Sequence, residues 1–181
     1  MAHPEEGGEV YWYAPDPRTI MPLDEGFHVS RRLRQTIRQA PFEIAINRDF
    51  EAVIRACAAP REQQPETWIS TGILEVYLEL HQLGFCHSVE AWEEGELVGG
   101  LYGVALGGFF AGESMFHRRR DASKICLVHL VERLRERGYT LLDIQFMTPH
   151  LARFGAMEIP KSEYDARLKE ALQHRCSFVG N

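Results

Sequence analysis

The chain has 181 residues, of which 45 % are hydrophobic, and a formal net charge of −6. This composition is typical of one large folded domain and excludes a disordered or fibrous protein. The net negative charge argues against indiscriminate nucleic-acid binding, although a local basic patch remains possible. No apolar run is long enough to span a membrane, and the acidic start lacks the apolar stretch of a signal peptide. We therefore expect a cytoplasmic protein.

The cysteines and histidines do not have the spacing of a metal site. Four cysteines are scattered along the chain without a Cys-x-x-Cys pair, and no two histidines have ligand spacing on one element. These patterns indicate reduced thiols rather than disulfides or bound zinc.

The first half of the chain predicts a loop and three helices around one strand. Residues 11–18 combine aromatic rings with prolines, which lack an amide donor, so we expect an ordered loop packed by its rings. Residues 42–46 alternate in the manner of a strand. Three helices have polar N-cap residues and one-sided apolar spacing. Their predicted caps are, in order, Ser30, Asn47, and Ser70 or Thr71.

The second half predicts an antiparallel meander over residues 87–92, 97–106 and 109–116. A helix over about 121–137, a strand over 139–146, a short helix over 149–154 and a last helix capped by Ser162 follow. This order predicts an α+β fold with a mixed central sheet flanked by helices, and it resembles a GNAT-like (N-acetyltransferase-like) fold. We expect a short N-terminal segment with a basic helix over residues 1–40 and a GNAT-like domain over residues 41–181.

The strand over residues 139–146 carries the strongest chemical signal. Its flanks are apolar, yet alternation places Asp143 and Gln145 on one face. Two residues along a strand span about 7 Å, so one small reacting group could contact both side chains. A buried carboxylate without a partner costs several kcal/mol, so some other group must compensate it. The alternative is a structural aspartate with satisfied hydrogen bonds at a strand end.

Glu113 lies among apolar and small residues of another predicted strand. Such a carboxylate is either an acid with a raised pKa or the receptor for a cation. The alternative is an edge-strand glutamate that reaches solvent. Glycines at positions 99, 100 and 103 of the preceding strand fit either close backbone approach to a ligand or bulges in a curved sheet.

Two basic clusters interrupt the acidic composition. The first, on the predicted helix after Ser30, is either a solvated face or a surface for a nucleic-acid backbone. The second, over residues 118–124, lies at a strand–helix junction, where lysine and helix amides can together hold a phosphate; it is equally compatible with a solvated helix start. The Arg/Gln-x-x-Gly-x-Gly/Ala loop expected of acyl-CoA users is absent. Trp12 and Trp68 lie in or beside loops, where they could stack on a base, although core packing is the default.

Several short sequence motifs between about residue 10 and residue 165 occur in the same order as in one bacterial family. The blocks are Trp12 with 14–18, then 27–31, 67–69, 87–92, 96–104, 112–116, 122–124, 142–145, and 151–160 around Gly155 and Ala156. Together they resemble the leucyl/phenylalanyl-tRNA–protein transferases. So many blocks in order are more specific than any single motif.

The resemblance implies an aminoacyltransferase that moves leucine or phenylalanine from aminoacyl-tRNA to the α-amine of proteins with N-terminal arginine or lysine, which marks them for N-end-rule degradation. It implies no cofactor and no metal. Asp143 and Gln145 would be the catalytic pair, with Glu113 lining the site. The implied substrate-binding residues are Trp12, Trp68, Leu101, Phe110, Ser114, Met115, Leu130, Leu134 and Leu142. The predicted tRNA-binding residues are Arg31, Arg32, Arg34, Arg38 and Lys124.

The chain departs from the family's pattern at its start, because the stretch that usually precedes the Trp12 block is essentially absent. We therefore expect a short form whose tRNA affinity is the property most affected. For the reaction, we expect Gln145 to accept a hydrogen bond from the attacking amine while Asp143 orients it. A hydrophobic pocket should also accept methionine weakly. Two alternatives stay open: an acyl-CoA-dependent N-acetyltransferase, and a non-catalytic tRNA-binding or adaptor protein.

Overall fold

A computed structural model describes residues 14–60 and 67–180, together with the backbone of residues 2–4 and 10–12. The strands are β1 (Ala2–Pro4), β2 (Val10–Trp12), β3 (Arg18–Met21), β4 (Glu43–Ile46), β5 (Cys86–Glu93), β6 (Glu96–Leu106), β7 (Phe109–His117), β8 (Leu141–Gln145) and β9 (Met157–Ile159). The helices are α1 (Arg31–Arg38), α2 (Phe50–Ala58), α3 (Thr71–Gln82), α4 (Ala122–Glu136), α5 (Pro149–Ala152) and α6 (Lys161–Ala171).

A seven-stranded mixed sheet forms the centre of the molecule, with the strand order β4-β5-β6-β7-β8-β3-β9. Neighbouring strands are antiparallel except for β7 and β8, which are parallel and are joined by the crossover helix α4. β1 and β2 pair with each other in a separate two-stranded sheet. The predicted α+β fold, with a mixed central sheet flanked by helices, is confirmed, as is the antiparallel meander β5-β6-β7.

Helices cover both faces of the sheet because successive side chains of a strand point to opposite faces. On β6, Leu101 packs in a cluster with residues of α4, whereas the next residue, Tyr102, packs in a cluster with residues of α2 and α3. Tyr164 of α6 packs in a third cluster with Leu141 and Ile20 of β8 and β3. The sheet therefore has α4 on one face and α2, α3 and α6 on the other.

The short strands β3 and β9 are not predicted by the sequence pattern. β3 has four residues that directly follow a proline, and β9 has three that directly precede one. Such short runs carry no readable alternation, and prolines favour a loop interpretation. β3 nevertheless lies inside the sheet, pairing with β8 and β9. The segment 1–40 thus contributes a strand to the main sheet, and the predicted division between residues 40 and 41 stays a prediction.

The predicted cap Asn47 is wrong, because this residue joins two strands instead. Its backbone is left-handed with φ at 54°. Its side-chain oxygen accepts a hydrogen bond from the Ser88 amide at 2.9 Å, and its side-chain nitrogen lies 2.9 Å from Nδ1 of His87. Asp49 caps α2 by accepting the Ala52 amide at 2.9 Å.

Two other predicted caps are confirmed and one is wrong. The Ser30 hydroxyl accepts the Leu33 amide at 3.2 Å, and the Ser70 hydroxyl accepts the Ile73 amide at 3.4 Å. Ser162, by contrast, is the second residue of α6, whose N-cap position is held by Pro160. A proline with an extended backbone ends β9 and starts the helix there, so Ser162 is already helical.

No helix in the described ranges is long and apolar enough to cross a membrane. No group of three or more His, Cys, Asp or Glu side chains in the same ranges is arranged to hold a metal ion. All four cysteines are thiols.

Candidate active site

The parallel strands β7 and β8 pair over only three residues each, from Phe109 opposite Leu141 to Ala111 opposite Asp143. Just beyond, β7 contains a bulge: Gly112 and Ser114 pair with consecutive residues of β6, so Glu113 between them has no opposite residue. The end of pairing and the bulge leave a gap at the carboxyl ends of the two strands. In sheets with parallel strands such gaps are common ligand sites.

A cavity of about 280 Å³ occupies this gap. Its wall is mainly apolar, with a few polar groups among the lining side chains, which is the usual character of a small-molecule site. The lining residues are Leu101, Tyr102, Gly112, Glu113, Ser114, Met115, Leu127, Leu130, Leu142, Ile144, Gln145, Thr148, His150 and Leu151. We refer to this space as the β7–β8 cavity. Its volume suits one amino-acid side chain with the groups next to it.

The Asp143 carboxylate is fully buried and its charge is compensated on several sides. The Arg18 guanidinium donates from Nε at 3.0 and 3.1 Å and from Nη2 at 2.5 Å. The Tyr164 hydroxyl donates at 2.8 Å. Burial, together with the nearby Asp143 charge, raises the pKa of Tyr164, so the hydroxyl remains a donor. Arg18 also lies over the Tyr164 ring, 4.8 Å from its centroid.

Gln145 leaves the alternation of β8 because its backbone is left-handed, with φ at 59°. Its side chain lines the β7–β8 cavity together with Leu142 and Ile144, whereas Asp143 does not line it. The predicted common face of Asp143 and Gln145 does not bring both side chains to the cavity, since only Gln145 lines it. Their connection runs through the backbone, since Asp143 Oδ1 accepts a hydrogen bond from the Gln145 amide at 2.9 Å.

Glu113 places a carboxyl group in the same cavity. Burial raises its pKa, and the Asp143 charge acts in the same direction, while a hydrogen bond with Tyr77 opposes the shift. Because β7 lies between β6 and β8, the alternative of an edge-strand glutamate is wrong. A raised pKa in a cavity is a common property of functional carboxyl groups.

The structure brings together only some of the predicted substrate-binding residues. Those that line the β7–β8 cavity are Leu101, Ser114, Met115, Leu130 and Leu142. Phe110 and Leu134 do not line it; both are fully buried in the core. Trp68 packs edge-to-face on Tyr77, with ring centroids 6.4 Å apart, rather than facing the cavity. The side chain of Trp12 lies outside the described residues.

The predicted tRNA-binding residues fall into two groups. Arg31, Arg34 and Arg38 are exposed on α1. Arg32 and Lys124 line a second cavity, of about 470 Å³, which shares His150 with the β7–β8 cavity.

Several residues of the site are not singled out by sequence reasoning. Arg18, Tyr164 and Tyr77 contact its carboxylates, and Thr148 and His150 line the cavity. A buried Asp143 signals that a cation must accompany it. The chain offers 20 lysines and arginines, however, and spacing alone does not choose among them.

Comparison with known proteins identifies the family of this chain. The family model described as leucyl/phenylalanyl-tRNA protein transferase matches residues 20–169. The chain belongs to this family of aminoacyltransferases. A family member from Herpetosiphon aurantiacus is 56 % identical over 174 residues, which cover 96 % of this chain and 89 % of that protein. One from Rhodopseudomonas palustris (strain TIE-1) is 53 % identical, over 99 % of this chain and 79 % of that protein. Both are named leucyl/phenylalanyl-tRNA–protein transferase.

Among solved structures, L-PGS from Bacillus licheniformis is similar to this chain with a TM-score of 0.54. The sequences are 12 % identical, and the match covers 88 % of this chain and 66 % of L-PGS. At this identity the likeness shows a shared fold alone.

Proposed function

We propose that this chain transfers leucine or phenylalanine, and weakly methionine, from aminoacyl-tRNA to the α-amine of proteins that begin with arginine or lysine. The observation that carries the proposal is the β7–β8 cavity, in which an apolar wall, the Glu113 carboxyl and the Gln145 amide meet. Membership of the leucyl/phenylalanyl-tRNA–protein transferase family supports the same reaction.

The apolar wall receives the transferred side chain. Leu101, Leu130 and Leu142 form an apolar part of the cavity wall. Such a surface favours leucine and phenylalanine through burial of apolar area. Each methylene contributes only about 1–3 kcal/mol of discrimination, which explains why methionine should still be accepted weakly.

The Gln145 side chain accepts a hydrogen bond from the attacking amine. The amine nitrogen forms a bond to the ester carbonyl carbon, the bond from that carbon to the ribose oxygen breaks, and the amine proton passes to the ribose oxygen directly or through water. An amide is a weak base, so Gln145 orients the amine rather than taking its proton. Because the ester is already activated, positioning can supply most of the acceleration, up to about 7–11 kcal/mol.

Asp143 acts through Gln145 and not on the substrate. Its carboxylate is fully buried, is occupied by Arg18 and Tyr164, and does not line the cavity. Its hydrogen bond to the Gln145 amide fixes the backbone from which the Gln145 side chain enters the cavity. We therefore propose Gln145 as the catalytic residue and Asp143 as the residue that positions it.

Glu113 supplies negative charge where a cationic substrate must bind. Its carboxyl lines the cavity and is hydrogen-bonded to Tyr77. When ionised it attracts either the cationic side chain of the acceptor's first residue or the ammonium of the aminoacyl group. The first of these roles favours acceptors that begin with arginine or lysine over acidic ones.

We also propose that the mixed sheet is GNAT-like and that the enzyme works in the cytoplasm, in the N-end-rule degradation of proteins. The parallel pair β7–β8 linked by α4 supports the first proposal, and the four thiols fit a reducing compartment. An acyl-CoA-dependent acetyltransferase is less well supported, because residues 118–124 lack the glycine-rich pyrophosphate loop.

Transfer of labelled leucine from charged tRNA to peptides beginning with Arg, Lys, Ala or Asp tests the proposal. We expect label on the Arg and Lys peptides only. Retained tRNA binding with no label on any peptide would contradict it and identify an adaptor. Acetylation of the same peptides from acetyl-CoA would identify the acyltransferase alternative.

A further inference from the structure

The Tyr102 hydroxyl has no hydrogen-bond partner among the residues that the structure describes. Tyr102 is fully buried, and it also lines the β7–β8 cavity. In the described ranges one other buried side-chain atom lacks a partner, the Thr19 hydroxyl, and Thr19 does not line the cavity. A buried hydroxyl without a partner is unfavourable, and phenylalanine would pack the same ring without that cost. In the wall of a cavity, such a hydroxyl is suited to contact a ligand.

Neighbouring rings hold Tyr102 in place. Its ring packs edge-to-face on Phe50 of α2, with centroids 5.8 Å apart, and on Tyr77 of α3, with centroids 5.3 Å apart. The three rings belong to one buried cluster between the sheet and these helices. Because aromatic packing on two sides fixes the ring, the hydroxyl keeps one position relative to the cavity.

The bulge in β7 brings Glu113 close to Tyr102. Tyr102 pairs with Ser114, and the unpaired Glu113 directly precedes Ser114 on β7. The carboxyl group of Glu113 is hydrogen-bonded to Tyr77, whose ring packs on Tyr102. Glu113 and Tyr102 both line the β7–β8 cavity. A carboxyl group and an unpartnered hydroxyl therefore lie in the same part of its wall.

The charges around Tyr102 favour a cation over an anion as the partner of its hydroxyl. Burial is the main cause that raises the pKa of Tyr102, and nearby Tyr77 and Glu113 add to it, so the phenol stays neutral. A neutral hydroxyl accepts hydrogen bonds through its oxygen. The negative oxygen of the reacting carbonyl would be repelled here by an ionised Glu113, whereas a protonated nitrogen is attracted to it.

We propose that the Tyr102 hydroxyl accepts a hydrogen bond from the protonated substrate nitrogen that Glu113 attracts, and so helps to select substrates that carry this charge. This inference rests on the proposed function, which brings two such groups to the cavity. They are the α-ammonium of the aminoacyl group and the cationic side chain of the acceptor's first residue. A hydrogen bond from a charged donor is stronger than one between neutral groups, so it offsets the cost of burying the hydroxyl.

Binding of a donor analogue that cannot react tests the inference without catalysis. Leucine joined through an amide to 3′-amino-3′-deoxyadenosine carries the α-ammonium, and its counterpart carries a hydroxyl in that position. Calorimetry gives the Kd of each for the wild type and for Tyr102→Phe. With the leucine analogue bound, peptides that begin with arginine or with citrulline, its uncharged isostere, are titrated in the same way. Tyr139→Phe is the matched control, since Tyr139 is also buried but does not line the cavity.

We expect Tyr102→Phe to weaken binding of a charged ligand at least about tenfold, where tenfold corresponds to about 1.4 kcal/mol. Binding of its uncharged counterpart, and all binding to Tyr139→Phe, should be unchanged. A difference within the donor pair identifies the α-ammonium as the partner, and a difference within the peptide pair identifies the acceptor's side chain. Equal weakening within both pairs, or no weakening in either, would overturn the inference.

The stability of the variant separates a contact to the substrate from a structural role. Because the hydroxyl has no partner among the described residues, Tyr102→Phe should have a Tm at least as high as that of the wild type. A lower Tm would show that the hydroxyl stabilises the fold and would also overturn the inference. Peptides that bind but receive no leucine in the transfer assay would contradict the proposed function, while the binding comparison would still decide this inference.

Discussion

Asp143 Oδ1 accepts a hydrogen bond from the backbone amide of Gln145 at 2.9 Å, while Gln145 itself adopts a left-handed φ of 59°. This contact links a buried carboxylate on one face of the sheet to an amide side chain in the cavity. Arg18 and Tyr164 fix the carboxylate in turn. The conformation of the proposed catalytic residue therefore depends on an ion pair that does not line the cavity.

Asp143→Asn tests this dependence. The substitution keeps the volume but leaves the Arg18 side chain, which is 13 % exposed, without its anion. Losing one partner of such a buried pair should lower the free energy of unfolding by about 3–5 kcal/mol. Urea unfolding measures this loss, and single-turnover transfer should fall with it because Arg18 no longer fixes the side chain whose oxygen accepts the Gln145 amide. Tyr164→Phe removes one hydrogen bond only and should cost less, about 1.5–3 kcal/mol. Wild-type stability in Asp143→Asn would contradict the assignment.

Glu113→Gln should make the enzyme more stable and less active. Because burial raises the pKa of Glu113 in the folded chain above its unfolded value, ionisation destabilises the fold. The stability difference between variant and wild type should therefore appear as pH rises past the ordinary carboxyl range, and reach its full size above the raised pKa. Thermal unfolding across pH measures it.

The transfer activity of Glu113→Gln should depend less on pH than that of the wild type. In the wild type, transfer to an Arg peptide should rise with pH as Glu113 ionises, with a midpoint above the usual carboxyl pKa. The variant should lose that rise and have a higher KM for the Arg peptide, because the attraction of its cation is gone. Identical pH profiles for variant and wild type would rule out an ionised Glu113 in the reaction.

Met115→Ala should shift the choice of transferred amino acid. Met115 lines the β7–β8 cavity, so truncation enlarges the space for a bulkier side chain. The ratio of kcat/KM for phenylalanine over leucine should rise by roughly tenfold, in line with about 1–3 kcal/mol for a small change of apolar volume. Leu134→Met is the control, since Leu134 is fully buried and does not line the cavity. An equal shift in both variants would show that the effect does not arise in the cavity.

Long periodic elements could be predicted from the sequence, and short or strained ones could not. The helix α4 and the meander β5-β6-β7 repeat their apolar pattern often enough to be readable. The four residues of β3 are too few to show such a pattern. This strand nevertheless places Arg18 beside Asp143, which lies 125 residues away in the sequence.

The site was predictable in its residue types but not in its geometry. Asp143, Gln145 and Glu113 stand out as polar residues in apolar strands. Alternation does not distinguish Gln145, which has a left-handed backbone and lines the cavity, from Asp143, which does not line it. The bulge at Glu113 likewise depends on the register with β6, which is a property of the assembled sheet.

Gln145→Gly tests the central claim most directly, because it separates stability from chemistry. Glycine adopts the left-handed φ of 59° without the cost of about 1 kcal/mol that other residues bear, so the variant should be as stable as the wild type or more so. Ala40→Gly is the matched control, since Ala40 is also left-handed, with φ at 45°, but is exposed and does not line the cavity.

The measurement is single-turnover transfer of leucine from saturating leucyl-tRNA to an Arg peptide. We predict that Gln145→Gly retains tRNA binding and transfers at least about a hundredfold more slowly, because the attacking amine is no longer oriented. Ala40→Gly should transfer at the wild-type rate. A Gln145→Gly rate within a few-fold of wild type would contradict the account.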